Sequence, residues 1–489
     1  MGQVTKESNR AFFTGERKSP WPVVAISMIG TSISGVTFIS VPGYVASSQM
    51  SYMQMVLGFF AGYIAIAFIL LPLYYRLDSF SIYGYLSERF GSRSRTTGSS
   101  FFLLSKFLGC GVRMYLTAIV LQVILFGPQG VPFLINILLT LLIVWLYTFR
   151  GGVKTLVWVD MLQTLCMIGA VILSFFFVCR ALEYDFRGLV TAIGDSPMSR
   201  VWHFDDPLDK KYFWKQFLAG AFTTVAMTGL DQDMMQKNLS CKNLRSAQKN
   251  VLSYGFSFVP VNLLFLWLGA LLYLYGARVG LCDGSGQLLG GLKADELFPV
   301  LATGKNPATG LRYLPAAVSV AFVIGLVCAA FSSAGSAVTA LTTSITVDLL
   351  GADRKQDEAR LTRTRHRIHA LVCLVMAGLI YAFRAIGDGS VINAVYVVAS
   401  YTYGPLLGLY AFGMTTKARP RDSWIPAICV ASPLLCLVLT HNAPRWFGFE
   451  IGYELLLINA GLTMIGLAIA SIRKETSPTR SKQTQDQKR

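Results

Sequence analysis

A stripe of hydroxyl-bearing side chains lies in the middle of a long apolar segment, in the stretch AAFSSAGSAVTAL at residues 329–341. In a helix, four of these residues recur at i, i+3, i+4 and i+7 and therefore share one face. They are Ala329, Ser332, Ser333 and Ser336. Polar groups at membrane depth are costly and usually face a cavity or a partner. Close helix packing by small residues is the structural alternative, and the stripe alone does not decide between the two.

Two other apolar segments carry residues that interrupt a helix. Gly30, Gly35 and Pro42 stand among serines and threonines in AISMIGTSISGVTFISVPG, and Gly220 and Gly229 surround a pair of adjacent threonines in GAFTTVAMTGLDQD. Broken helices are tolerated at membrane depth only where they are buried in protein or line a cavity. The two segments lie five predicted spans apart and run in opposite directions, which is typical of inverted-topology repeats. In such folds the freed backbone carbonyls bind a coupling cation near the bilayer centre.

The composition places these segments in a bilayer. Of the 489 residues, 53% are hydrophobic and 14% are charged, with a mean hydropathy of +0.52. That is too apolar for a soluble multidomain protein, so we predict an all-α polytopic membrane protein with about twelve transmembrane helices. The predicted spans are 21–45, 52–75, 97–127, 131–149, 155–180, 213–235, 250–276, 312–348, 367–387, 390–414, 424–440 and 451–472.

The net charge of +17 is distributed by side of the membrane. Of the 43 Lys and Arg residues, 29 lie in alternate connecting segments, and 11 lie in the remaining ones. By the positive-inside rule the richer segments face the cytoplasm, so we expect both termini there, in a bacterial inner membrane. The basic balance therefore reflects topology and gives no reason to expect a nucleic-acid partner. The richer segments are 1–20, 76–96, 150–154, 236–250, 349–368, 415–421 and 473–489.

Residues for soluble-enzyme chemistry are sparse. Most of the nine cysteines fall inside predicted spans, which argues against a disulfide framework. His366 and His369 lie in a basic loop without a nearby cysteine or carboxylate, so we expect no structural metal there. For a polytopic membrane enzyme, the candidate catalytic groups would be only Asp160, Arg113 and Asp231. A transporter-like sensor would need a soluble signalling domain. We therefore do not expect an enzyme.

Five motifs, in the expected order, resemble those of the solute:sodium symporter family, which has the LeuT-type fold. They are GTSISGVTFISVPG, GGVKTLVWVDMLQ, DQDMMQK, AAFSSAGSAVTAL and YGPLLGLYAFGM. The resemblance implies two inverted repeats of five helices, followed by two extra helices. Most of the family carries one further span before this core, and we do not expect that span in the given sequence, because either its start is truncated or the bundle tolerates the loss. The expected units are a cytoplasmic segment at 1–20, the repeats at 21–180 and 213–414, the extra helices at 424–472 and a disordered tail at 473–489.

The resemblance also implies a Na⁺ site between spans one and eight. Its ligands would be the carbonyl oxygens of Gly30, Ile33 and Ala329 and the hydroxyls of Ser332 and Ser333. Depth is compatible with this, because Gly30 lies about ten residues, or about 15 Å, beyond the inner end of its span and Ser332 is at the middle of its own. Flexible shells of oxygen ligands suit hard cations in general.

Asp160 matches a family carboxylate that forms a second Na⁺ site or takes part in proton coupling in some members. Ser336 is its expected partner, together with Ser332. The chain departs from the two-ion pattern at Gly335, where those members have another serine. A structural ion pair is the alternative role for Asp160.

The resemblance places the solute beside the break in span one, which makes Ser34 and Thr37 candidate ligands. Arg113 lies near the bilayer centre, where it could clamp a substrate carboxylate or pair with a protein group such as Asp231. Asp231 facing the cavity would favour a hydroxylated or cationic solute. A further set of tyrosines could stack on a sugar ring, although core packing is their more frequent role. They are Tyr52, Tyr401 and Tyr403.

Together these observations predict a Na⁺-coupled symporter that imports a small polar solute by alternating access. The leading solute class is a sugar acid or other organic anion, such as a sialic-acid-like sugar, and a neutral sugar is the next. The expected partners are Na⁺, the solute and the lipid bilayer, with the monomer as the functional unit.

Overall fold

A computed structural model describes residues 9–77, 80–307, 309–384, 391–448 and 451–472. The described chain is helical, with β pairing limited to three isolated bridges. The all-α prediction is therefore confirmed. The predicted tail at 473–489 and the first eight residues of the segment 1–20 lie outside the described residues.

Twenty α-helices form within the described ranges. In the first half of the chain they are α1 (Asn9–Thr14), α2 (Trp21–Ser32), α3 (Gly35–Ser48), α4 (Tyr52–Ala65), α5 (Leu71–Leu77), α6 (Gly84–Arg89), α7 (Ser92–Leu121), α8 (Phe133–Thr148), α9 (Gly152–Ala181) and α10 (Phe186–Gly194). In the second half they are α11 (Phe213–Thr224), α12 (Gln232–Asn238), α13 (Leu244–Arg278), α14 (Leu297–Thr303), α15 (Ala316–Ser344), α16 (Ala352–Lys355), α17 (Glu358–Phe383), α18 (Val391–Thr415), α19 (Ile425–Phe447) and α20 (Leu455–Ile472).

Each of the predicted spans falls on one or more of these helices. Seven helical segments in the described part of the chain are long and apolar enough to cross a membrane, and eight if the bent pair α2–α3 counts as one span. The other predicted spans coincide with helices that are shorter, interrupted or less uniformly apolar, such as α8 and the pair α11–α12. A count of about twelve therefore remains a prediction.

Helix α9 shows why the bundle suits lipid. Its outward face exposes large apolar side chains such as Leu162, 62% exposed, and Trp158, 50% exposed. One turn apart on the opposite face, Asp160 and Thr164 are buried. Apolar groups outside and polar groups inside reverse the pattern of a soluble protein, so the outward face is the one that contacts hydrocarbon.

Helix α15 lies at the centre, in contact with α2, α7, α8, α9 and α17. Its small residues let neighbours approach closely. A Cβ on Gly325 would lie 2.7 Å from the ring of Phe38, and a Cβ on Gly335 would lie 2.1 Å from the hydroxyl of Tyr147. The close-packing interpretation of the stripe therefore holds for these glycines, while the serines between them carry the polar groups of the site.

The first predicted interruption is a sharp break between α2 and α3, which are bent by 60°. Ile33 and Ser34 have extended backbone conformations there. Close approach explains Gly30, because a Cβ at this position would lie 1.9 Å from the Thr164 hydroxyl. The expectation that Pro42 contributes to the interruption is wrong, since it lies inside α3, which continues to Ser48.

The second interruption separates α11 from α12. A π-helical turn at Val225–Gly229 is followed by non-helical backbone at Leu230 and Asp231. Asp231 caps α12 by accepting hydrogen bonds from the backbone amides of the following residues, Asp233 at 2.8 Å among them. Both interrupted segments thus break close to one of the predicted glycines, whereas Gly220 lies inside α11.

Candidate cation and solute site

The broken end of α2 faces the hydroxyl stripe of α15. The Ser333 hydroxyl donates to the Thr31 carbonyl oxygen at 3.3 Å, which joins the two helices at the break. The carbonyls of Gly30 and Ile33 accept no hydrogen bond from the described residues, because the helix ends between them. The buried Ser332 hydroxyl likewise has no partner within the described ranges. Polar atoms left without partners at this depth are costly unless a ligand satisfies them.

The predicted Na⁺ ligands are all neutral oxygens. Ala329 precedes Ser332 by three residues and Ser333 by four, so its carbonyl lies on the same face of α15 as their hydroxyls. Divalent cations are usually bound with carboxylates, whereas a shell of carbonyls and hydroxyls offers less negative charge and suits a monovalent ion. The donor set therefore fits Na⁺, and the assignment of these five residues as its ligands remains a prediction.

Asp160 lies beside this region and is already paired. Its Oδ2 accepts a hydrogen bond from the Ser336 hydroxyl at 3.0 Å, as the prediction of an Asp160–Ser336 pair requires. The same oxygen forms an ion pair with Lys237 and lies 3.5 Å from the Thr31 hydroxyl. Ser332, the other expected partner, makes no hydrogen bond to Asp160. A structural ion pair is the alternative role predicted for Asp160, and its partner, Lys237, was not predicted from the sequence.

Lys237 belongs to the interior of the bundle. The sequence assigns it to the basic inner segment 236–250, but its side chain is 1% exposed and the carboxylate of Asp160 is 0% exposed. Lys237 lies on the short helix α12, which also contributes buried residues on either side of it. The signal available in the sequence was the motif DQDMMQK itself, which ends on this lysine directly after a broken span.

A cavity of about 140 Å³ lies next to the break. All four predicted solute ligands line this cavity, together with Ser333 of the predicted Na⁺ site. They are Ser34, Thr37, Arg113 and Asp231. The structure thus brings the solute candidates into one chamber and places that chamber against the cation candidates.

The two basic residues of the cavity differ in their partners. Lys106 lies 3.2 Å from Asp231 and 2.7 Å from Asp233, so two carboxylates surround its ammonium group. Tyr403 also donates a hydrogen bond to Asp231. By contrast, the guanidinium of Arg113 forms no hydrogen bond or ion pair with the residues that the structure describes. Of the two alternatives for Arg113, pairing with Asp231 is not what the structure shows.

Lys106 and Arg113 share a face of α7. They are seven residues apart, with Cys110 between them on the same lining surface. This spacing is visible in the sequence. The role of Lys106 was not predictable from it, because its partners, Asp231 and Asp233, are distant in the chain. Its pairing leaves Arg113 as the group whose positive charge is available to a solute.

Tyrosines form much of the remaining wall. Tyr63 donates to the Tyr254 hydroxyl at 2.8 Å, and Tyr254 in turn contacts the Ser32 hydroxyl at the break. Tyr52 and Tyr403 line the cavity as predicted. Tyr401 does not, and instead its hydroxyl donates to Thr440 on α19 at 3.3 Å.

The N-terminus of α3, which has no side-chain cap, lies at the same cavity. Ser34 precedes this 14-residue helix and makes no side-chain hydrogen bond to its amides. Val36 and Thr37 of the first turn line the chamber. Since the first amides of a helix have no partner within it and carry a partial positive charge, they attract negatively charged groups.

Sequence comparison finds transporters as relatives. The sodium-coupled monocarboxylate transporter 1 of Mus musculus is 25% identical over 84% of this chain and 64% of its own length. The sodium/iodide cotransporter of Homo sapiens is 24% identical over 84% and 62%, so this chain spans just under two thirds of each. The sodium/sialic acid symporter SiaT of Proteus mirabilis (strain HI4320) is 20% identical over 86% and 82%.

Solved structures share the fold at low sequence identity. A substrate-bound, outward-open Na⁺-coupled sialic acid symporter matches with a TM-score of 0.78 and 18% identity, over 96% of this chain and 93% of that one. Mhp1, a nucleobase-cation-symport-1 family transporter in a closed conformation, matches with a TM-score of 0.58 and 12% identity, over 96% and 95%.

The family model described as the sodium:solute symporter family matches residues 12–419, which is most of the chain. This agrees with the resemblance carried by the five motifs, with the all-helical bundle and with the shared fold. The protein belongs to the sodium:solute symporter family.

Proposed function

We propose that the protein is a Na⁺-coupled symporter that imports a small organic anion by alternating access. The observation that carries this proposal is the shared position of Ser333. It belongs to the predicted ligand set between α2 and α15, and it also lines the solute cavity. An ion held there would fix the break in α2 against α15 and thereby shape the wall that the solute contacts.

Two features of the cavity support an anionic solute. Arg113 offers a guanidinium that no described carboxylate neutralises, and a planar guanidinium binds carboxylates through two parallel hydrogen bonds. The N-terminus of α3 adds partial positive charge to the same cavity, at Ser34 and Thr37. A sugar acid would match both features, with its carboxylate at Arg113 and its hydroxyls on the serine and threonine side chains.

The named relatives agree with this solute class. Monocarboxylates, iodide and sialic acid, the solutes in the names of the relatives above, are all anions. At 20–25% identity they support a class of solute for this chain and not a particular compound.

The proposed transport cycle is a rocking of two groups of helices. We assign α2–α3, α4, α11–α12 and α13 to one group, and α7, α8, α15 and α17 to the other. The contact of Ser333 with Thr31 and the ion pairs of Lys106 with Asp231 and Asp233 join the two groups. These contacts must change as access alternates, so they are where Na⁺ and solute would bias the equilibrium.

A neutral sugar is the second candidate because of the tyrosine wall. Tyr52, Tyr63 and Tyr254 line the cavity, and tyrosine side chains can stack on and hydrogen-bond to sugar rings. For the remaining features we keep the sequence-based assignments as proposals: a bacterial inner membrane, cytoplasmic termini, two inverted repeats at 21–180 and 213–414 with extra helices at 424–472, and function as a monomer.

Uptake into proteoliposomes tests the proposal. An inward Na⁺ gradient is imposed, and the labelled solutes include sialic acid, short monocarboxylates, neutral sugars and amino acids, with choline replacing Na⁺ in the control. We expect Na⁺-dependent accumulation of one or more organic anions. Neutral sugars as the only transported solutes would favour the second candidate, and accumulation that is the same in choline would contradict Na⁺ coupling.

A further inference from the structure

The stripe on α15 has two ends with different surroundings. At one end, the Ser333 hydroxyl donates to the Thr31 carbonyl at the break in α2, and the neighbouring Ser332 hydroxyl has no partner within the described ranges. At the other end, one turn further along, the Ser336 hydroxyl donates to the Asp160 carboxylate, which is paired with the ammonium group of Lys237. The first end therefore includes an unpartnered hydroxyl, at Ser332, whereas the carboxylate at the second end is neutralised by a positive charge that the protein itself supplies.

The contacts of Lys237 are those of a bound cation. Its Nζ contacts the Thr31 hydroxyl and Asp160 Oδ2, and Ser336 donates to that same carboxylate oxygen. The lysine and the carboxylate are both fully enclosed, so the ammonium has no access to bulk water. An ammonium and a Na⁺ ion both need oxygen atoms when they leave water. Here oxygens of α2 and α9 contact the ammonium directly, and the Ser336 hydroxyl of α15 donates to the same carboxylate oxygen.

The surrounding packing leaves little room for another ligand on α15. Tyr147 from α8 donates to the Phe331 carbonyl at 2.7 Å and places its hydroxyl over Gly335. A Cβ at Gly335 would lie 2.1 Å from that hydroxyl, so a serine does not fit without displacing the tyrosine. The helix therefore offers Ser336 but no neighbouring hydroxyl at 335 to complete a shell around a free ion.

We propose that Lys237 is a tethered cation that occupies the Ser336 end of the stripe in place of a second Na⁺, so that the protein binds one Na⁺ per transport cycle. This inference rests on the proposed function, because it takes the Ser332–Ser333 end as the Na⁺ site. Its consequence for transport is electrical: one Na⁺ carried with a monovalent anion moves no net charge. Lys237 would also follow α12 as the helix groups rock, so its charge stays with the protein.

Removing the tether should create a second Na⁺ site. In Lys237→Ala the ammonium is lost, while the Asp160 carboxylate and the hydroxyls of Thr31 and Ser336 remain. The Oδ1 atom of Asp160, which has no hydrogen-bond partner within the described ranges, becomes available as well. Binding of radiolabelled sodium to the full-length purified protein, without solute, measures the number of ions directly.

We expect about one Na⁺ per wild-type chain and about two for Lys237→Ala. The same number of sites sets the upper limit of the Hill coefficient for Na⁺ binding. The matched control is the double variant Lys237→Ala/Asp160→Asn, which lacks the carboxylate and should return to about one. It carries no unpaired buried charge, so it also tests folding at this position if Lys237→Ala is unstable.

Several outcomes separate this inference from the proposed function. Two ions bound to the wild type would overturn the tethered-cation inference and leave Na⁺ coupling intact. A folded Lys237→Ala protein that still binds one ion would also overturn it. If Lys237→Ala did not fold, the wild-type count would decide: about one ion supports the inference, and two ions overturn it. Absence of any Na⁺ binding to the wild type would instead contradict the proposed function itself.

Discussion

Removing the Ser333 hydroxyl should weaken Na⁺ binding far more than it weakens the fold. In Ser333→Ala the proposed ion loses one of two hydroxyl ligands, while the three carbonyls and Ser332 remain. An interaction between a hydroxyl and a charged group is worth about 1.5–3 kcal/mol, and about 1.4 kcal/mol corresponds to a tenfold change in affinity. We therefore expect the Na⁺ concentration for half-maximal binding or uptake to rise about 10- to 100-fold.

The cost to the folded state is smaller. Without Na⁺, Ser333 contributes one neutral hydrogen bond, to the Thr31 carbonyl at 3.3 Å. Such a bond contributes about 1 kcal/mol to stability. Thermal unfolding in choline should therefore differ little between the variant and the wild type, and the difference should appear only as Na⁺ is added.

The assay is a Na⁺ titration of thermal unfolding at constant ionic strength, with choline as the replacement, because a ligand that binds only the folded state raises its stability as its concentration passes the Kd. Ser174→Ala is the matched control. Ser174 is a buried serine on α9 that donates to the Ala170 carbonyl of its own helix at 2.8 Å. It lies about 21 Å along α9 from Asp160. A Ser333→Ala protein with the Na⁺ dependence of the wild type and of this control would refute the placement of the ion.

Three further predictions address the cavity and the break. Arg113→Gln should reduce affinity for anionic solutes about 10- to 100-fold in uptake competition, with thermal stability retained, because no described partner loses an ion pair. Lys106→Met should instead lower the free energy of unfolding by about 3–5 kcal/mol in denaturant titrations, since it leaves two buried carboxylates without their cation. Gly30→Ala should cost about 1–3 kcal/mol in thermal unfolding because its Cβ meets the Thr164 hydroxyl, and a second substitution, Thr164→Ala, should recover part of that loss.

The broken first span could be predicted because its residues leave few alternatives. Several small and hydroxyl-bearing residues between Gly30 and Gly35 cannot be explained as a lipid-facing helix, and the break falls between them, at Ile33 and Ser34. The exact position of the break could not be predicted from the sequence. Either glycine would allow a break, and the choice between them depends on tertiary contacts. The prediction of a break at Pro42 was wrong because a proline removes only one backbone hydrogen bond. Helix α3 tolerates that loss inside a packed bundle.

The cavity residues were predictable for a similar reason. Ser34, Thr37, Arg113 and Asp231 are polar residues in apolar segments, and burial in a common cavity satisfies all four. Their partners were not predictable, because pairing depends on which helices meet. Lys106 forms ion pairs with Asp233 of α12 and with Asp231, the N-cap of that helix. The Arg113–Asp231 pair, which the sequence offered as an alternative, does not form.

Lys237 shows the limit of hydropathy most clearly. The span predicted from hydropathy, 213–235, ends inside α12, so Lys237 was assigned to the cytoplasmic segment that follows. The structure buries it instead, because α12 is the second half of a broken span and packs against α2, α13 and α15. Besides the motif DQDMMQK, Asp160 was a second signal: a buried carboxylate is stabilised by a nearby cation, and a lysine can supply that charge as a metal ion can.

The central claim is that Na⁺ held between the break in α2 and the hydroxyls of α15 drives solute uptake. The most direct measurement is solute accumulation in proteoliposomes under an imposed Na⁺ gradient, for the wild type and for the double variant Ser332→Ala/Ser333→Ala. The account predicts accumulation above the external concentration only in the wild type and only with Na⁺. Accumulation that persists in choline, or that is undiminished in the double variant, would contradict it.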